Sequence, residues 1–491
     1  MDIKQAGIVA LTTLTSIAHA QTIDKPNVIL IVTDDQGLDL GCYGNTAIKT
    51  PNIDYLASQG VLFKNAYCTS SSSSASRSVI LTGMHNHANG HYGHSHVSNH
   101  FRTFETVVSL PRYMADNGYR TAHIGKWHLA PDSIYPFDKR ISSNVRNTVE
   151  MAQKAGEFIS ENPNKPFFMY FCPYDCHDDG TKFENLPYKP DTHGNHNVYP
   201  GVVETKYNAD SVLIPPFLPD LQQTRAWLAQ YYQSISRIDQ GVGKLIKYLK
   251  DNNLWETTVI IYGSDNGINL TGGKTNAYEP GVNVPFIIRN PFIQAKGVTT
   301  NAIVNYTDIM PTILDIAGIL PSNNILPAHY FKSLKHPWED TPNRDKIQGH
   351  SMLEILKNPQ ITTWDTTYLS HTFHGLDNYY PMRTIVTTKY KLIINLAHEL
   401  PYPCLQEEVI ELYKKSPVKS FGAHIAKDYV YRSFFELYDL QQDPLETTNL
   451  AYNKKYVDIR NVLVQKVRNF QKNTNDPFIT LWKLYDKGIK H

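Results

Sequence analysis

A chain of 491 residues is long enough for more than one hydrophobic core, and a large domain with a smaller one is the natural expectation. With 47 Lys+Arg against 46 Asp+Glu, a formal net charge of +1, it lacks the charge excess of an extended nucleic-acid surface, while a local basic pocket for an anion stays open. No segment is apolar for long enough to span a bilayer, and the 41% hydrophobic content is that of an ordinary globular protein.

In chain order, Lys4, the apolar stretch from Ala6 to Ile17 and the small-residue site Ala18-His19-Ala20 read as a signal peptide over residues 1–20. This predicts a secreted or periplasmic mature protein. The five cysteines, Cys42, Cys68, Cys172, Cys176 and Cys404, are odd in number, so at least one thiol is unpaired in an exported chain. The spacing of Cys172 and Cys176 invites a disulfide or a metal, although no second cysteine pair lies nearby to complete a zinc site.

Three short apolar runs, each followed by polar groups, read as buried strands. Asn27–Thr33 runs into Asp34-Asp35; Phe167–Phe171 runs into Tyr174-Asp-Cys-His177; Thr258–Tyr262 runs into Ser264-Asp-Asn-Gly267. Ligands of open α/β sheets gather at the carboxyl ends of strands, so the repetition predicts one shared site. Helical spacing over Val107–Asn117, Gln222–Asn252 and Asp308–Ala317 predicts helices covering both faces of the sheet. Leu320–Arg344 reads as a long surface loop. Beyond it, Thr384–Asn395 and Phe435–Asp439 predict antiparallel strands, with a terminal helix around Lys455–Lys472 packed on them. The expectation is an α/β fold with a large mixed sheet between helices over residues 21–365, and a smaller α+β domain with an antiparallel sheet over residues 366–491.

The serine run from Cys68 to Arg77 has the composition of a flexible linker. Its flanks oppose that reading, because the apolar residues Val79, Ile80 and Leu81 can pack as a helix that small hydroxyl residues would cap. Ser73-Ser-Ala-Ser-Arg77 followed by Leu81-Thr-Gly83 resembles the signature of the type I, formylglycine-dependent sulfatases, of the alkaline-phosphatase-like superfamily. The resemblance implies that residue 73 is oxidised to formylglycine, the nucleophile, and that Arg77 holds it. Ser73 stands where Cys is commoner: either the enzyme is of the serine type or a cysteine has been replaced.

Other blocks follow in the family's order. Asp34, Asp35, Asp265 and Asn266 resemble its metal ligands, and four hard oxygen donors suit one Ca2+ ion. Gly125-Lys-Trp-His128 resembles the block in which Lys126 binds sulfate and His128 assists turnover of the nucleophile. His177 matches the general acid, and Lys274 a second sulfate-binding lysine. Stretches such as Asn305–Ile309 and Tyr380-Pro-Met-Arg383 are similar to the heparan N-sulfatase (sulfamidase) branch. His87, His371, His374 and Arg383 are candidates for sugar contacts. The implied activity is hydrolysis of a sulfate ester or sulfamate of a sulfated oligosaccharide, from a glycosaminoglycan or an algal galactan such as carrageenan. The implied partners are that substrate and a formylglycine-generating maturase. Two alternatives stay open: a phosphodiesterase of the same superfamily, which would need further His and Asp ligands for two metals, and a non-catalytic sulfated-glycan binder.

Overall fold

A computed structural model of the chain describes residues 25–96, 98–179, 192–331, 343–403 and 407–486. The expected signal peptide and Cys404 lie outside the described residues, as does part of the expected loop Leu320–Arg344. Eight strands form the large sheet: β1 (Asn27–Thr33), β2 (Val61–Tyr67), β3 (Arg120–Gly125), β4 (Lys139–Ile141), β5 (Phe167–Cys172), β6 (Thr258–Ser264), β7 (Phe286–Arg289) and β8 (Val298–Asn305). Their spatial order is β4-β3-β5-β1-β6-β7-β2-β8. All neighbours are parallel except β7, which runs antiparallel to β6 and to β2.

The alternation of side chains along β1 explains the layers. Val28, Leu30 and Val32 enter one core with Val79, Ile80 and Leu81 of the helix Ser73–Thr82 and with the helix Ile309–Ile316. Ile29 and Ile31 enter the other with the helices Thr148–Ser160 and Gln222–Asp251. Each such buried aliphatic side chain contributes about 1.5–3 kcal/mol. Because both faces are covered, β1 is continuously apolar and its seven residues are all buried.

A second, antiparallel sheet is built from β9 (Thr366–His371), β10 (Met382–Thr387), β11 (Tyr390–Asn395) and β14 (Phe435–Asp439), after a two-stranded hairpin of β12 (Ser420–Phe421) and β13 (His424–Ile425). Ile385, Leu392, Ile394 and Leu437 pack on Leu463 and Val467 of the terminal helix Val457–Asn473. The other face packs through Met382 and Ile393 on Ala277 and Tyr278 of the segment that follows β6. There Lys391, fully buried, bridges Glu279 at 2.7 Å and Glu446 at 2.8 Å. Buried charges persist only when paired in this way. This contact fastens the loop that carries Lys274 to the smaller sheet. Among the described residues no helix is long and apolar enough to cross a membrane.

Candidate active site

Thr33 of β1 lies opposite Ser264 of β6, so Asp34-Asp35 and Asp265-Asn266 leave neighbouring parallel strands side by side. On the other flank of β1, β5 delivers the turn Tyr174–His177, fixed by Asp34 N–H donating to Asp175 O (3.1 Å) and Cys176 N–H donating to Asp34 O (2.7 Å). The next strand, β3, ends at Gly125. Its backbone lies so close to Cys172 O that a Cβ there would come within 1.9 Å, and its φ is +101°. Only glycine permits that approach, which sends Lys126 into the same corner, its N–H on Cys172 O at 2.7 Å.

Ser73 is the first residue of the helix Ser73–Thr82 and is fully buried. Its hydroxyl donates to Asp34 Oδ1 at 3.1 Å and lies 3.5 Å from both Asn266 Oδ1 and Lys126 Nζ. One turn on, Arg77 Nε pairs with Asp265 Oδ2 at 2.9 Å, both side chains at 0% exposure. Lys126 pairs with Asp34, and Lys274 Nζ with Asp35 Oδ2 at 2.8 Å. Asn266 donates through Nδ2 to Asp35 Oδ1 at 2.8 Å, leaving its amide oxygen toward Ser73. His177 Nε2 is 3.8 Å from Asp35 Oδ2, and its Nδ1 is engaged by Asp178 O. The expected capping of the helix by a serine hydroxyl is corrected here. Ser72 is the N-cap residue but makes no side-chain cap bond; its Oγ is 3.0 Å from His374 Nδ1 instead.

Like charges crowd this floor. Burial, then the charge of Asp34, pushes the Asp265 carboxyl up to about 6, against the pull of Arg77. Burial would raise Asp34 too, but Lys126, His177 and Arg77 hold it well below the usual carboxylate range. Burial opposes the Lys274 ammonium, yet Asp35 and Asp34 raise it above its ordinary value. Three carboxylates and one amide oxygen, with no sulfur among them, fit a hard, oxygen-bound cation. The donor atoms of Asp34, Asp35 and His177 lie within 4.8 Å of one another. Burial, with the charge of Lys274, takes the His177 imidazole down to about 4.

A wall of imidazoles rises beside this floor. His374 Nε2 meets His94 Nε2 at 2.8 Å; His94 stacks on His128, and His128 Nε2 lies 2.6 Å from His96 Nδ1. Burial, then the charge of Lys126, keeps His128 well below its ordinary value. His94 and His96 were not anticipated from the sequence, although six histidines between residues 85 and 100 are a compositional signal.

Three sequence candidates do not join the site. Arg383 is buried in a two-pronged pair with Asp476 (2.5 and 2.9 Å), with Nη1 donating to the carbonyls of His371 and Met382, so its guanidinium has no direction left for a sugar. His87 packs its ring near His85 and edge-on to Phe470 of the terminal helix. His371 is buried at the end of β9, where its carbonyl holds Arg383. Among the described residues Cys172 and Cys176 form no disulfide, their side chains lying in opposite cores of the large sheet, and Cys42 and Cys68 form none either.

The fold and sequence have close counterparts. The chain is 32% identical over 473 residues to human N-sulphoglucosamine sulphohydrolase, covering 92% of this chain and 91% of the relative. It is 29% identical over 464 residues to an ulvan-active sulfatase of Formosa agariphila, covering 92% and 81%. Among solved structures, one described as in complex with its substrate D-glucosamine-2-N,6-O-disulfate superposes with a TM-score of 0.64 at 22% identity, covering 92% of this chain and 99% of that one. Another, described as in complex with neocarrahexaose, gives 0.64 at 19% identity, covering 95% and 100%. Residues 26–319 match the sulfatase family model, and on these grounds the chain belongs to the sulfatase family of sulfuric ester hydrolases.

Proposed function

We propose that the chain removes sulfate from a sulfated saccharide, with residue 73 as the nucleophile after its oxidation to formylglycine. The observation that carries this reading is the buried Ser73 hydroxyl, within reach of Asp34, Asn266 and Lys126 at once. Formylglycine would supply a covalent nucleophile for sulfur, and one Ca2+ ion held by Asp34, Asp35, Asp265 and Asn266 would polarise a sulfate oxygen. The residues of the chain do the rest. Lys126 and Lys274 offset the sulfate charge, and Arg77 fixes Asp265 in place. His177 keeps Nδ1 on a backbone carbonyl, so Nε2 faces the site to hold the proton for the leaving oxygen or nitrogen. An anionic substrate raises the affinity of that imidazole for its proton. His128, kept neutral by burial and Lys126, is suited to accept a proton.

An N-sulfated or O-sulfated amino sugar of glycosaminoglycan type is the first substrate class to test, since the human relative is named for N-sulphoglucosamine; ulvan and carrageenan fragments come next. We further propose that residues 1–20 direct export, that a maturase acts on Ser73, and that residues 366–491 form a substrate-shaping domain, a reading supported by the contact of His374 with Ser72. The deciding measurement is the mass of the peptide carrying Ser73, from protein made in its natural host. A residue about two mass units lighter than serine supports the reading. Plain serine, with no hydrolysis of any sulfated sugar in the panel, overturns it.

A further inference from the structure

We propose that His94, His96 and His128 form a second metal site, for a borderline transition ion such as Zn2+, separate from the carboxylate site. The three rings lie at centroid distances of 4.7, 4.7 and 4.5 Å, and each offers a nitrogen within 4.8 Å of the other two. His94 and His128 each hold a buried Nδ1 with no hydrogen-bond partner among the described residues. A buried ring nitrogen without a partner is costly, and a metal ion would satisfy it. His94 also has the outer support that metal-bound imidazoles usually have: His374 holds its Nε2, and Ser72 holds His374.

The donor chemistry separates the two sites. Imidazoles suit Zn2+, Cu2+ and Ni2+, whereas the oxygen set around Asp34 suits a hard cation. Three protein nitrogens at about 2.0–2.1 Å leave the fourth tetrahedral position for water or an anion. To take the ion through these nitrogens, His96 and His128, now hydrogen-bonded at 2.6 Å, must draw apart; His96 is exposed, its ring resting on those of His94 and His128. Lys126 and Lys274 lie near enough for their charges to oppose a cation here, which lowers the affinity below that of three imidazoles alone. An ion held by His128 takes the lone pair that the proposed function assigns to proton transfer. Zn2+ then acts as a reversible inhibitor, and this consequence alone rests on that reading.

The test uses the full chain saturated with Ca2+ and titrated with Zn2+ against a chromophoric chelator, with Co2+ absorption as a second readout. The titration needs neither substrate nor formylglycine; turnover with and without Zn2+ is followed separately on the formylglycine-bearing protein. One Zn2+ per chain is expected, with affinity at least ten-fold weaker in His96→Ala and in His94→Ala. His96→Ala alters an exposed side chain, so a loss of affinity there is not a loss of fold. Unchanged affinity in His96→Ala, or displacement of Zn2+ by Ca2+, overturns the site. Zn2+ bound with turnover intact leaves the site standing and overturns the role given to His128.

Discussion

On the floor of the pocket each cation has a carboxylate: Arg77 on Asp265, Lys126 on Asp34, Lys274 on Asp35. On the wall, His94 and His128 keep ring nitrogens without partners among the described residues, and the rings contact mainly one another. The floor comes from the ends of β1, β3 and β6, from a fully buried helix and from the loop of Lys274; the wall comes from loops and from the chain just after β9. Strand ends fix atoms to the precision that chemistry needs, while loops tolerate the variation that suits recognition. Removing a floor residue or His128 is therefore expected to abolish function or fold, and removing His94, His96 or His374 to tune them.

The largest effect is expected at Ser73. Ser73→Ala lowers turnover of a sulfated sugar by about four orders of magnitude or more, with the fold intact by circular dichroism. A smaller loss would break the comparison at its centre. Arg77→Met leaves Asp265 buried without its partner and costs about 3–5 kcal/mol in denaturant unfolding. Stability equal to the parent would mean that the floor does not depend on its pairs. Chelation with EGTA lowers the melting temperature, and Ca2+ at one hundred times its dissociation constant restores about 2.7 kcal/mol. A melt indifferent to Ca2+ counts against the oxygen site.

Acid tests the buried imidazoles. Burial takes His85, His91 and His371 down to about 3, below the ordinary 6.5, so the unfolded chain binds their protons first. Their contribution is fully present above the unfolded pKa and is lost as pH falls from about 6.5 toward 3. Each contributes about 2 kcal/mol of destabilisation by pH 5. Asp39 and Asp239, raised to about 6 by burial, take up protons in the folded state first and offset part of this, so a net loss is expected to begin near pH 6.5 and to continue steadily to about pH 5. Melts that are flat over this window would sink the argument. At the small end, His374→Ala removes the hydrogen bonds to Ser72 and to His94 and costs about 1–2 kcal/mol. A loss as large as that of Arg77→Met would put the wall on the same footing as the floor.

Much of this was legible in the residues. Asn27–Thr33 and Phe435–Asp439 are strands over the spans their apolar runs predict, and the helix expected over Gln222–Asn252 runs from Gln222 to Asp251. The three strand-end clusters converge because β5, β1 and β6 are parallel neighbours. The four-residue β7 was not legible: too short for a periodicity, it is antiparallel only because the sheet around it is there. Arg383 misled because its partner Asp476 lies 93 residues further on, where local pattern carries no signal. Cys172 and Cys176 misled because spacing says nothing of the sheet that separates their side chains.

Asp35, His128 and Thr275 all have left-handed backbone, with φ of 56°, 55° and 70°. For Thr275, branched at Cβ, that conformation is a true outlier, and each such residue stores about 1–3 kcal/mol. All three adjoin the pocket. A directed-evolution campaign selected on heat resistance alone would thus be drawn to glycine at 275 and 128, whereas at 35 the loss of the Lys274 partner outweighs the strain relieved. The survivors at 128 would be sturdier proteins lacking a wall imidazole. Selection at these positions has to be scored on desulfation, and thermostabilising libraries are better aimed at surface elements far from the serine turn.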